Sequence, residues 1–231
     1  PQPDLNKVRE AAQRISEAQR PVIVAGAGVK YSGAYEALNH LAEAMHVPVA
    51  TSLNAKDAIL DNNPLSVGVV GTYSRRSANQ EVAEADLVIF VGTRAGGMTT
   101  HFWTIPAKGT STIQIDIDPL VNGRNYPTDV SIVGDARVTL EKMNELNIPV
   151  PKERVEWLKQ VKAICTSYKI DFKEVYESDA YPIRPERIVN ELSNGMPKNA
   201  IIVVDTGHSG MWMGGMFEKR HEGQSLSLIH I

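Results

Sequence analysis

The stretch 21–33 reads PVIVAGAGVKYSG, an apolar β-branched run that stops at two glycines before a helical pattern begins. A strand, a tight turn and a helix N-terminus in that order can cradle a phosphate. Glycine lets the backbone come close, and the first helical N–H groups have no partner of their own. A dinucleotide fingerprint asks for G-x-G-x-x-G and an acid at the end of the following strand. Gly26 and Gly28 supply the first two positions, but the sixth is Tyr31, and the next strand ends in ATSLN without a carboxylate. A nicotinamide site is therefore disfavoured, while a bare turn and some other nucleotide contact both stay open.

Further chemistry-bearing residues fall where strands should end. Gly71 and Thr72 follow one apolar run, and Gly92, Thr93 and Arg94 follow another. Asp116 and Asp118 close IQIDID, and Asp135 closes IVGD. Ligands of open α/β sheets sit at the carboxyl ends of the strands, so these tips could offer backbone donors, a cation for a phosphate and a carboxylate for a ribose diol. Each also has a plainer account: Arg94 as a surface charge, Asp118 as a turn former before Pro119, Asp135 as a helix cap. The sole cysteine, Cys165, lies in a helical pattern and reads as a plain buried thiol; it excludes a disulfide framework and a CxxC metal site.

Stepping outward, the elements that must carry these tips alternate. Leu5, Val8, Ala11, Ala12 and Ile15 recur at helical spacing behind Asp4 or Asn6 as a cap, and Pro21–Ala25 reads as a strand. A helix is expected from Ser32, with Ala37, Leu38, Leu41, Ala42 and Met45 on one face. Strands follow at 47–52, 66–71, 86–92, 111–118 and 130–135, with helices at 74–85 and 136–146. Strands alternating with helices, and apolar throughout as in LVIFVG, indicate a parallel sheet covered on both faces. The fold class is α/β: a doubly wound parallel sheet, Rossmann-like, over residues 1–148. Two prolines, Pro149 and Pro151, open a linker, 149–178, whose helix is expected to turn Val155, Leu158, Val161, Ile164 and Cys165 inward. A helix at 185–192 and a strand at 200–204 then begin a second, truncated α/β unit over 179–222.

Composition narrows the function classes. The chain has 231 residues, 42% hydrophobic and 22% charged, with a formal net charge of −3. No basic stripe interleaved with aromatics points to nucleic acid. No apolar run approaches the roughly 20 residues of a membrane helix. Pro1 stands in place of Met, so the natural N-terminus is expected upstream and the lack of an export-like segment says little; a reduced, cytoplasmic setting is the default expectation.

The ordered series RPVIVAGAGV, PVATS, ADLVIFVGTR, IQIDIDP, GRNYP and VGDA resembles the central domain of thiamine-diphosphate enzymes of the acetolactate synthase type. YPIRPERIVNEL and AIIVVDTGHSGMW resemble the start of that family's third domain. The resemblance implies a 2-oxo acid decarboxylase or carboligase that uses thiamine diphosphate and Mg2+ and works as a homodimer or homotetramer when full length. It places Gly207, His208 and Ser209 near the cofactor's diphosphate. The family's activating glutamate belongs to its first domain, and its metal is held by Gly-Asp-Gly with a later asparagine. Neither is present, and Gly134-Asp135-Ala136 only opens a helix, so no catalytic and no metal-ligating residue is expected in this chain, which should be inactive alone. The central domain of the family takes FAD, ADP or nothing. The flavin enzymes carry two acids before an arginine after the fourth strand, where this chain has Gly96 and Gly97, with Arg94 earlier. Weak or no flavin binding is expected, and Asp116 keeps an adenosine ribose open. Gly26, Gly28, Gly92, Thr93, Arg94, Asp116 and Asp135 are the candidate nucleotide contacts. A nucleotide-binding or structural α/β domain without catalysis is the competing reading.

The ending GQSLSLIHI breaks the family pattern, and LSLIHI resembles the translation of a transposon end used in sequencing libraries. Residues 223–231 are expected to be a non-native tail; a genuine strand using Leu226, Leu228 and Ile229 is the alternative.

Overall fold

A computed structural model describes residues 1–146 and 148–227. Six strands form one sheet: β1 (Pro21–Ala25), β2 (Val49–Thr51), β3 (Ser66–Val69), β4 (Leu87–Val91), β5 (Ser111–Asp116) and β6 (Val130–Val133). Their order is β3-β2-β1-β4-β5-β6 and every pairing is parallel. The order reverses between β1 and β4, which makes their carboxyl ends the topological switch point of a doubly wound sheet.

Both faces are covered, which is why β1 and β4 are buried at every position. One face carries α1 (Leu5–Glu17), α3 (Tyr35–Met45) and α5 (Ala136–Asn144), whose Ile15, Leu38 and Leu140 pack on Ile23, Ile89 and Ile113. The other carries α4 (Arg76–Glu84) and α6 (Arg154–Asp171), whose Val82, Trp157 and Val161 pack on Val22, Val88 and Phe90. Asp4 caps α1 by accepting from the Asn6 N–H, and Asp135 caps α5 by accepting from the Val138 N–H.

Two local expectations are corrected. The helix expected from Ser32 begins only at Tyr35, as α3, and a short helix not expected, α2 (Ala27–Tyr31), precedes it in the glycine turn. Gly33, at φ +64°, breaks the pair, and the Ser32 hydroxyl donates back to the Gly28 carbonyl to close α2. The inward face of α6 is also rotated from its apolar pattern. Arg154, Trp157, Val161 and Tyr168 are buried, whereas Val155 is half exposed. Arg154 is responsible: its guanidinium donates to the carbonyls of Met45, Ile15 and Ala18, each at 2.6 Å, where α1 and α3 end. Burial pulls its pKa down to about 10, and two helix C-termini offset the buried charge.

Beyond α6, a short α7 (Lys173–Tyr176) leads to α8 (Pro185–Gly195), β7 (Ile201–Val203) and α9 (His208–Met216). Residues Ser225–Ser227 form β8, paired in parallel with β7, and Leu226 joins Val189, Ile202, Met213 and Phe217 in a small core. Within the ending expected to be non-native, residues 225–227 form a strand, and Leu228 and Ile229 lie outside the described residues. No helix among the described residues is long and apolar enough to cross a membrane.

Candidate functional site

The glycine turn is built by contact with the neighbouring strand. A Cβ on Gly26 would lie 2.2 Å from the Gly92 carbonyl oxygen, and one on Gly28 would lie 2.6 Å from the Gly92 Cα. Gly92 itself sits at φ +60°. The two loops therefore interlock backbone to backbone, which only glycine permits. Their amides are used in doing so: Gly26 N–H donates to Val91 at 2.8 Å, Gly28 N–H to Gly92 at 2.9 Å and Val29 N–H to Gly26 at 3.0 Å. The turn that looked like a phosphate cradle spends these donors within the protein.

A cleft of about 840 Å3 opens above the switch point. Gly28, Gly92, Thr93, Arg94 and Asp116 line it, as the sequence suggested. Gly26 lies buried beneath, and Asp135 is outside, engaged as the cap of α5. Asp116 is partly engaged: its carboxylate accepts from the Asp118 N–H at 3.0 Å. Arg94 is exposed, and its carbonyl accepts from the Asn125 side chain at 2.6 Å.

Residues 96–99, the loops after β2 and β3 and the segment after β5 complete the wall. The first belongs to a segment in which His101, Phe102 and Trp103 stand in succession at φ +47°, +53° and +61°. Thr100 pins this left-handed turn, its hydroxyl donating to the Gly96 carbonyl and accepting from the Trp103 N–H, both at 3.1 Å. No glycine marks those three positions, so composition gave no signal for them.

The second predicted group, Gly207–Ser209, opens α9. Gly207 is at φ +75° with nothing within 4 Å of where a Cβ would be, and no side chain caps the helix. His208 is exposed and packs against Trp212 at 5.8 Å between ring centres. The Ser209 hydroxyl donates to the Asp205 and Thr206 carbonyls. Thr206, one residue before the turn, lines the cleft. Thr206 brings this segment to the rim of the cleft, while Gly207, His208 and Ser209 stand beside it and do not line it.

Two ionisable clusters lie away from this mouth. Asp61 is buried between Lys56 and Arg75, at 3.5 and 3.1 Å, and those cations together with the Lys219 N–H hold its carboxyl below the usual range. Across the α4–α6 interface, burial pushes Glu81 up to about 8 and Cys165 up to about 12; the Cys165 thiol donates to Glu81 at 3.4 Å. A thiol held that high is unreactive, in keeping with a packing role. No group of three or more His, Cys, Asp or Glu among the described residues could hold a metal ion.

Residues 8–143 match the model of the thiamine pyrophosphate enzyme central domain. The chain is 35% identical to a "Probable acetolactate synthase large subunit" of Methanococcus aeolicus, over 96% of this chain and 39% of that protein. It is 35% identical to the protein of the same name in Methanocaldococcus jannaschii, over 93% and 37%. It is 32% identical to the "Acetolactate synthase large subunit" of Parasynechococcus marenigrum, over 92% and 34%. The chain therefore spans little more than a third of the length of these relatives.

Proposed function

Because the chain belongs to the thiamine pyrophosphate enzyme family, we propose that it is the central unit, with the start of the next one, of an acetolactate synthase-like 2-oxo acid decarboxylase or carboligase. The observation that carries this reading is the collinear match to acetolactate synthase large subunits across more than nine-tenths of the chain.

Thiamine diphosphate, when bound, supplies the electron sink that loss of carbon dioxide from a 2-oxo acid requires. The residues present fit its diphosphate at one place. The uncapped N-terminus of α9 presents unpaired N–H groups and a positive dipole end to open space in front of Gly207. His208 adds a ring donor, whereas the Ser209 hydroxyl already donates to Asp205 and Thr206 and has no proton left for the anion. The chain's share of the work is placement: the sheet fixes the cleft, and α9 is held beside it. The Gly-Asp-Gly and later asparagine that the resemblance implies for magnesium are not in this sequence, so on this reading its protein ligands belong to the rest of the longer protein.

The glycine turn is a poor match for the pyrophosphate of a dinucleotide, since three of its N–H groups, those of Gly26, Gly28 and Val29, are donated to carbonyls. Flavin binding is accordingly weak or absent, and adenosine contact through Asp116 and Arg94 is the most that the cleft supports. In the cell the unit works in the cytoplasm within a homodimer or homotetramer of the longer protein.

The test is carbon dioxide release from pyruvate and other 2-oxo acids by the intact protein that contains this chain, with and without thiamine diphosphate. Cofactor-dependent release supports the reading; its absence with every 2-oxo acid tried overturns it. The chain alone should show no turnover.

A further inference from the structure

The last turn of α9 is gripped by buried charge, and its first turn is exposed. Lys56 Nζ donates to the Gly214 carbonyl at 3.4 Å, Arg75 Nε to the Gly215 carbonyl at 3.1 Å, and the Tyr168 hydroxyl to Gly215 at 3.3 Å. Both cations share Asp61, whose backbone N–H donates to the Lys219 carbonyl while its carboxylate accepts the Lys219 N–H. The chain leaving α9 is thus fastened to the same aspartate. Gly214 and Gly215 let the helix come this close, since a Cβ on either would lie 2.6 Å from the carbonyl oxygen of Tyr73 or Ser74.

We propose that Asp61, Lys56 and Arg75 are positioning residues: by clamping the C-terminal carbonyls of α9 they set where its N-terminus, Gly207–Ser209, stands at the mouth of the cleft. Two cations at the negative end of a helix are electrostatically matched to it, and Asp61 keeps the pair from standing uncompensated in a buried place. A helix of nine residues transmits that anchor over about 13 Å. The N-terminal turn has no comparable hold, since Thr206, Gly207, His208 and Ser209 are all exposed. The functional side of this inference rests on the reading that the N-terminus of α9 holds a diphosphate; the mechanical side does not.

The clamp carries its own pH signature. Lys56 faces Asp61, Arg75 and Glu218, and burial, reinforced by Arg75 and opposed by the two acids, brings it down to about 8. Arg75 in turn faces Asp61, Glu218 and the rings of Tyr168 and Tyr176, and Lys219 lies near Asp57 and Lys30. Losing the Lys56 proton removes one of the two charges on the helix end.

Hydrogen–deuterium exchange of the whole chain tests the clamp without any ligand. In Arg75→Met and Lys56→Met, the amides of Met211–Met213, the first in α9 to donate one turn back, should exchange about tenfold faster than in the wild type, while those of β4 and β5 keep their rates. Arg75→Lys, which keeps a charge beside Asp61, should recover most of the protection. In the wild type, protection of Met211–Met213, corrected for intrinsic exchange, should fall between pH 7 and 9, and Lys56→Arg should abolish that fall. Unchanged rates in both Met variants overturn the clamp. Should those variants fail to fold, the wild-type and Lys56→Arg pH series decides instead, and a flat wild-type series overturns it. In the intact protein, Arg75→Met should raise the Kd for thiamine diphosphate about tenfold, and an unchanged Kd overturns the positioning role. No binding by the wild type would instead overturn the proposed function and leave the exchange result standing.

Discussion

Replacing Glu81 by glutamine should make the chain more stable at neutral pH and remove most of its pH dependence between pH 5 and 8. Glu81 is fully buried on α4 with one carboxylate oxygen lacking any partner and the other accepting only the Cys165 thiol. Desolvation raises its pKa from 4.5 to about 8, with Glu84 adding to the rise and the thiol opposing it. The folded state therefore holds a proton that the unfolded state has released, so this group's contribution is complete below pH 4.5 and is lost as pH rises to about 8. Each pH unit in that window costs about 1.4 kcal/mol, so the whole span approaches about 5 kcal/mol, comparable with the total stability of many domains. Asp61 and Glu186, held low by their neighbours, titrate below the window, and Lys56 at its upper edge. At pH 7 the glutamine variant avoids about 3 kcal/mol of this cost and returns about 1 kcal/mol for an imperfectly paired amide. Urea unfolding at pH 5, 6, 7 and 8 for both proteins measures it, since the midpoint moves with stability while the slope stays constant. Parallel pH curves for wild type and Glu81→Gln would refute the reasoning.

Other consequences follow from the packing. Arg154→Met removes the donor from three carbonyls at the ends of α1 and α3, and urea unfolding should show a loss of about 3–5 kcal/mol. Gly92→Ala, with a left-handed φ and a Cβ 2.6 Å from the Gly28 Cα, should cost more than about 3 kcal/mol or prevent folding. Gly33→Ala, equally left-handed but with open space around it, should cost only about 1 kcal/mol by the same assay. A flavin titration followed by absorbance and fluorescence should show weak or no binding, because the amides of Gly26, Gly28 and Val29 are already donated.

Much of the fold was legible because its signals are local. The apolar runs of β1 and β4 show burial on both faces, and the spacing of Val8, Ala11 and Ile15 shows one face of α1. Glycines at strand tips marked the cleft, because a tip that turns sharply or touches its neighbour needs them. What those glycines do was not legible. Whether Gly28 donates to a phosphate or to Gly92 depends on a loop more than sixty residues away. The inward face of α6 was misjudged at Arg154 because arginine reads as solvent-facing until two helix ends supply its acceptors. Asp61, Lys56 and Arg75 carry no local signal, since their burial together depends on elements distant in sequence, α9 among them. The left-handed turn at His101–Trp103 is set by Thr100 and by the contacts around it, with no local residue signal.

The account stands or falls on where reactivity resides, and carbon dioxide release from a 2-oxo acid measures that directly. The intact protein supplied with thiamine diphosphate and magnesium should release it, and the 231-residue chain under the same conditions should not. Turnover by the chain alone, or none by the intact protein, would contradict the account.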